Sequence, residues 1–270
     1  MLAEMYKKRE KLAYVFLAVT VLVAAGWLIF QTPESSRDWW ELLFFLLPFG
    51  LSISIIVISR SHYLKVKDIE IPHSDKQLLE LKELVIKKDA TFVPRLLLFE
   101  KSGGFIGSVE MANIKWWMYP MLLRDASLLT WFPMTYQFLD DDGKIQLSFR
   151  KTGWFKQSKL EIFSAENNML GTYIQEELKA FVNIKGKLYN ERQELILPIQ
   201  ASGFSGSFSW NDQQEWRWAY FYNGMFPHEY THLFRDMQND IVELSEDIGK
   251  DNKKRLLAVI GYLFITRIKS

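Results

Sequence analysis

Near its carboxyl end the chain reads KKRLLAVIGYLFITRIKS, and from Leu256 to Ile265 it is apolar on every side. Ten helical residues are about 15 Å long, roughly half of what a hydrocarbon layer demands. The run is too uniformly apolar for a surface helix, which shows a stripe, and too short for lipid. It therefore needs a protein sleeve, and a closed β-barrel is one that fits. Arg267 and Lys269 close the last turn, where cations suit the negative end of the helix dipole.

Two other apolar runs are long enough for lipid. Leu12 to Phe30, and the stretch after Glu41 up to Ser59, each hold about 18 residues without a charge, the length a bilayer span requires. The first exceeds the roughly 7 to 15 apolar residues of a signal-peptide core, so it reads as a span rather than a cleaved leader. Lys7, Lys8, Arg9 and Lys11 precede the first run and Arg60, Lys65 and Lys67 follow the second, while the connector QTPESSRDWW holds only Arg37. By the positive-inside bias this predicts a two-span protein of the cell membrane with both termini cytoplasmic and the connector outside. Trp27, Trp39 and Trp40 then fall near the outer interface. Pro48 marks a place for a kink, and Gly50 and Ser54, four apart, are small enough for a close helix–helix approach.

After this hairpin, residues 1–66, the texture of residues 67–270 changes to short apolar runs divided by turn residues. KDIEIP, ELVIKKDATF, PRLLLFEKSG, GFIGSVEM, MTYQFLDDDG, KIQLSFRKTG, KLEIFSAEN, NMLGTYI, FVNIKGKLYN, QELILPIQ, GFSGSFSW and EWRWAYFY all fit strands. Asp142-Gly143, Glu166-Asn167-Asn168 and Asn190-Glu191-Arg192 are hairpin signals between them. Strands at intervals of roughly 8 to 12 residues, with no crossover helices, predict a mainly β barrel or sandwich of antiparallel strands. The hairpins of the LFEKSGGFIGSV, YQFLDDDGKIQLSF and LEIFSAENNMLGTYI type, followed by NDIVELSEDIGKDNKKRLLAVIGYLF, resemble the tubby C-terminal-like superfamily, which includes the phospholipid scramblases. The resemblance covers residues 67 to 270. It implies a roughly 12-stranded antiparallel barrel around the hydrophobic C-terminal helix, and a lipid-related role.

Composition excludes several chemistries. Formal net charge is +1, so no global field draws the chain to nucleic acid, and none is expected as a partner. There is no cysteine, which removes disulfides, thiolate metal sites and thiol nucleophiles, and only four histidines remain as nitrogen ligands.

One enzymatic motif needs weighing. His228-Glu229-Tyr230-Thr231-His232 reads H-E-x-x-H, in which His228 and His232 would hold zinc from one face of a helix while Glu229 serves as base. Pro227 directly before it, and turn chemistry in Asn223-Gly224-Met225-Phe226, disfavour a position well inside a long helix. No third ligand has recognisable spacing. An integral-membrane zinc protease is therefore the second reading, and no metal or cofactor belongs to the first.

Gly203-Phe204-Ser205-Gly206-Ser207 lacks the final glycine of a nucleophile elbow and reads as strand. Asp140-Asp141-Asp142-Gly143 reads as a hairpin tip rather than a calcium loop, and Ser102-Gly103-Gly104 as a turn. Residues 113 to 134 are too aromatic for an ordinary loop; they either cover part of the barrel as core or rest against lipid or the two helices. In RKTGWFKQSK, the cations Arg150, Lys151, Lys156 and Lys159 surround Trp154 and Phe155 at an expected hairpin tip. Such a cluster suits an anionic leaflet, where each cation gains about 1 kcal/mol. The expected function is a membrane-anchored, non-enzymatic barrel that binds anionic phospholipid or a membrane protein. A regulatory protein-binding module is the third reading.

Overall fold

A computed structural model describes residues 2–31, 35, 39–40, 43–69, 72–74, 76–89, 93–112, 114–115, 118, 132–153, 157–176, 183–202, 207–224 and 239–266. The chain divides into two compact units, Met1–Glu70 and Ile71–Ser270.

The first unit holds α1 (Leu2–Phe30) and α2 (Leu46–Val66), both long and apolar enough to cross a membrane. They run antiparallel, since Tyr6 near the start of α1 meets His62 near the end of α2 with ring centroids 5.1 Å apart. Tyr6, Ala13 and Thr20 are buried at a spacing of seven on α1, and Ser52, Ile56 and Ser59 at four and three on α2, which gives each helix one seam. The small residues at the seam differ from those expected. Gly50 and Ser54 lie on the exposed side, where the Ser54 hydroxyl donates back to the Gly50 carbonyl at 2.8 Å. Pro48 falls in the first turn of α2, where a missing N–H removes no intrahelical bond, so the kink expected there has no cause.

The second unit is a near-closed barrel of twelve antiparallel strands. They are β1 (Glu83–Lys88), β2 (Arg95–Glu100), β3 (Phe105–Ala112), β4 (Met134–Asp140), β5 (Ile145–Thr152), β6 (Gln157–Ser164), β7 (Met169–Glu176), β8 (Asn183–Asn190), β9 (Leu195–Ser202), β10 (Phe208–Asn211), β11 (Arg217–Gly224) and β12 (Asn239–Leu244). The ladder runs β10-β11-β12-β1 and then in chain order to β9. At the seam between its two ends, the Trp210 indole on β10 donates to the Gln200 carbonyl on β9 at 2.9 Å. Pro198 sits on this end strand, where a residue without an N–H is tolerated.

Eleven strands coincide with the expected runs, and the twelfth does not. KDIEIP forms a turn at Lys67–Asp68 among its described residues, and beyond it only a single bridge, His73 with Phe105, joins the sheet. The missing strand is NDIVEL, which inserts between β11 and β1 and pairs with both.

The barrel encloses α3 (Lys250–Thr266), whose side chains from Arg255 to Thr266 are all buried. Large aliphatic and aromatic side chains at these positions each contribute on the order of 2 kcal/mol relative to exposure. The helix lies close to the wall: a Cβ built on Gly261 would stand 3.0 Å from the Phe138 ring. Leu84, Leu96, Phe138, Phe149, Ile162, Leu188 and Leu197 belong to the same core, each facing inward on its strand.

Five hairpins at one rim share a single turn design. In each, a residue at the end of the incoming strand, its last residue in four cases and the one just after β10 in the fifth, donates its N–H to the carbonyl four residues on and accepts from the residue three on: Glu100, Asp140, Ser164, Asn190 and Asp212. The residue three on has positive φ: Gly103, Gly143, Asn167, Gln193 and Glu215. A β-bulge follows every time. This is the three-residue hairpin loop closed by a left-handed residue. Asp140, Asn190 and Asp212 also accept backbone N–H bonds through their side chains, which makes each tip self-capped. The connections at the opposite rim are of other lengths, and residues 119–131, 154–156, 177–182, 203–206 and 225–238 within them lie outside the described residues.

Candidate functional site

The strand alternation decides which members of the basic cluster can meet a ligand. On β5, Leu147, Phe149 and Lys151 share the inner face, while Arg150 is exposed on the outer one. Lys151 is only 2% exposed and its ammonium reaches the Gly153 carbonyl at 3.4 Å. It therefore faces the barrel interior rather than the surface expected of it. On β6, Lys159 lies on the outer face, pairs with Glu161 at 3.0 Å, and sits opposite Thr152 in register. Arg150 is opposite Glu161 on the same face. Arg150 and Lys159 thus form the outer side of this rim, one strand apart. Trp154, Phe155 and Lys156 lie outside the described residues.

The H-E-x-x-H stretch, His228, Glu229 and His232 included, also lies outside them. Of the other histidines, His62 packs on Tyr6 in the helical unit, and His73 bonds to Asp141 at 3.1 Å. No group of three or more His, Asp or Glu side chains suited to a metal occurs among the described residues. Gly203 to Gly206 are likewise undescribed. Asp140 to Gly143 and Ser102-Gly103-Gly104 form hairpin turns, as expected. Within residues 113 to 134, Met118 is buried in the barrel core, and Ile114 and Phe132 pack against it, which agrees with a covering role for these three.

Sequence reasoning missed a cleft of about 580 Å³ at the turn rim, between the short 3-10 turn Leu78–Glu80, the starts of β1 and β11 and the end of β12. Its charges are matched among themselves. Lys76 pairs with Glu100, Lys101 with Glu83 at 2.7 Å, and Arg217 with Glu243 at 3.8 Å. Burial works against the Glu100 carboxylate, but hydrogen bonds from Lys76, Ser102 and Ser74 prevail and hold its pKa below the usual range. The hydrogen bond to Glu83 lifts the Lys101 ammonium above its ordinary value. A cleft whose cations already hold carboxylates exerts little net pull on an anion. Its residues come from chain segments far apart, and no local spacing announces them.

Compared with protein-family models, with curated proteins and with solved structures, the chain finds no match in any of the three.

Proposed function

We propose that the chain is a non-enzymatic, tubby-like barrel anchored in the cell membrane by α1 and α2, with both termini cytoplasmic, and that it binds anionic phospholipid headgroups at the inner leaflet. The observation that carries this reading is the apolar exposure around both helices. Phe16, Leu22, Ile29 and Phe30 on α1, and Leu47, Leu51, Val57 and Ile58 on α2, point outward on several sides, a surface that suits hydrocarbon and not water. The basic residues flanking the two helices support the orientation. A twelve-stranded barrel filled by its own C-terminal helix supports the tubby-like assignment. Because α3 occupies the interior, a ligand of this unit is met at a rim or on the outer face.

Arg150 and Lys159 are the described outward-facing cations of the cluster proposed to meet lipid, and Trp154, Phe155 and Lys156 adjoin them in sequence. Anchoring keeps such a patch at high effective concentration near headgroups, so individually weak contacts suffice. The test places the full chain in nanodiscs of zwitterionic or of anionic lipid and follows amide hydrogen exchange across residues 150–159. Protection that appears only with anionic lipid, and is lost on Arg150→Glu plus Lys159→Glu, is the expected result. Equal exchange in both lipids removes the headgroup proposal, and stoichiometric zinc lost on His228→Ala would put the protease reading in its place.

A further inference from the structure

The first barrel residues after α2 cross the turn rim as a strap, and its two halves are fastened differently. Only residues 67–71 separate the strap from the end of α2. In the leading half, the Pro72 carbonyl accepts from the Phe105 N–H at 2.9 Å, and the Ser74 N–H donates to the Phe105 carbonyl at 3.1 Å. The other bonds of this half are made by polar side chains. The Ser74 hydroxyl donates to Glu100 at 3.1 Å, Lys76 pairs with the same carboxylate, and His73 bonds Asp141 at 3.1 Å. Pro72, His73, Lys76 and Gln77 are exposed. The trailing half is set in the core instead. Leu78 and Leu79 pack against the core and Leu81 is buried within it. The Leu81 carbonyl accepts from Lys253 of α3 at 2.7 Å, and the Lys82 carbonyl from the Leu244 N–H at 2.7 Å. A capping box between Gln77 and Glu80 opens the 3-10 turn and marks the joint of the two halves.

Exposed hydrogen bonds without buried apolar contacts open at low free energy, whereas a segment packed in the core opens only with its surroundings. The leading half therefore lifts first, and Glu100, which gathers both Ser74 and Lys76, is its main fastening. Lifting it has a consequence for the rim, because the strap walls two clefts. Lys76 lines the cleft of about 580 Å³ together with Glu80, Leu81 and Lys82, and a second cleft of about 260 Å³ together with Ser74, Gln77 and Leu78. Both change shape when the leading half parts from Glu100.

We propose that residues 72–77 are a strap moved by the membrane hairpin: a displacement of α2 passes through residues 67–71 to this half, which parts from Glu100 and Phe105 and reshapes both clefts while residues 78–82 stay in the core. The coupling rests on the reading of α1 and α2 as membrane spans, and it gives the anchored barrel a response to the state of the bilayer.

The test follows hydrogen exchange in the full chain at the Ser74 and Phe105 amides, which the leading half protects, and at the Leu244 amide, which reports the trailing half. In nanodiscs of zwitterionic lipid, Glu100→Ala should speed exchange at Ser74 and Phe105 about tenfold and leave Leu244 and β4 to β7 unchanged. Phosphatidylcholine nanodiscs of short and of long acyl chains then shift the hairpin through hydrophobic mismatch, and the same two amides should differ between them by about threefold or more. The chain has no cysteine, and a Cβ built on Gly104 stands 3.1 Å from the Ser74 Cβ, near the roughly 3.8 Å of a disulfide. Oxidised Ser74→Cys plus Gly104→Cys should therefore pin the strap and abolish the response of the Phe105 amide to acyl-chain length, and reduction should restore it. Exchange at Ser74 and Phe105 as slow as in β4 to β7 and indifferent to Glu100→Ala would overturn the strap itself. A response to Glu100→Ala with none to acyl-chain length would overturn the coupling, and failure of the chain to enter nanodiscs would overturn the spans and the coupling together.

Discussion

Arg255, inside the barrel on α3, is held by Glu191 at the tip of the β8–β9 hairpin, 64 positions away in the chain, with Nη2 2.5 Å from Oε2. The same guanidinium donates to the Leu170 carbonyl at 2.6 Å and to the Asn252 side chain at 2.5 Å. A buried cation thus ties the first turns of the enclosed helix to two hairpins of the wall. Replacing it by Arg255→Met leaves the Leu170 carbonyl without this donor and should lower stability by about 2–3 kcal/mol. Glu191→Gln should cost far less, because Glu191 is half exposed and the Leu170 and Asn252 bonds remain. Chemical denaturation of the full chain in detergent measures both; equal losses would mean that the pair, rather than the carbonyl bond, carries the latch.

Lys253 gives a pH dependence of a definite sign. Its ammonium donates to the Leu81 carbonyl at 2.7 Å, and burial holds its pKa below 10.5 despite the nearby Glu246 and Glu80. Between that lowered folded value and 10.5, the unfolded chain binds more protons, so the contribution of this group to stability rises with pH. Wild type should therefore gain on Lys253→Met as pH climbs toward 10.5. Lys76, Lys101 and Lys144 are shifted upward, but they are common to both proteins and cancel in the difference. A difference that is flat or falls with pH would contradict the burial account.

Asp240 behaves oppositely. Burial raises its carboxyl above 3.8, and Lys88 and Lys87 offset this only in part. Here the folded state binds more protons between 3.8 and the raised value, so the group costs stability as pH rises through that window. Asp240→Asn should raise the melting temperature at neutral pH, with the advantage gone below pH 3.8. Destabilisation at neutral pH would show that the lysines outweigh burial.

Gly186 on β8 lies under the Tyr173 ring of β7, and a Cβ there would come within 2.3 Å of Cε2. Gly186→Ala forces the ring to move and should cost about 1–3 kcal/mol. In Gly186→Ala with Tyr173→Leu the two losses should be less than additive, because the smaller side chain removes the clash. Full additivity in a double-mutant cycle would place the strain elsewhere.

Much of the barrel was legible because its strands combine alternation with strong turn chemistry. Asp142-Gly143 and the Asn-rich tips name their hairpins outright. NDIVEL was not legible: only Ile241, Val242 and Leu244 are apolar, and it directly precedes the final helix, so it reads as a lead-in. KDIEIP has better alternation, yet among its described residues Pro72 alone meets the sheet, its carbonyl accepting from the Phe105 N–H at 2.9 Å. Gln193 and Glu215 take positive φ, which their residue types do not signal, because the shared turn requires it. For the basic cluster, adjacency in sequence grouped Lys151 with Arg150, whereas the alternation begun by Leu147 and Phe149 already sends Lys151 inward. The charged cleft depends on β11 and β12 pairing beside β1, strands far apart in the chain, and no local pattern encodes it.

The account rests on α3 lying inside the barrel, and amide hydrogen exchange of residues 256–265 in the full chain, in nanodiscs, tests this most directly. Exchange as slow as that of the inward-facing strands β4 to β7, and unchanged between zwitterionic and anionic lipid, is what an enclosed helix predicts. Exchange much faster than in those strands, or protection that changes with lipid composition, would place the helix outside the barrel and contradict the account.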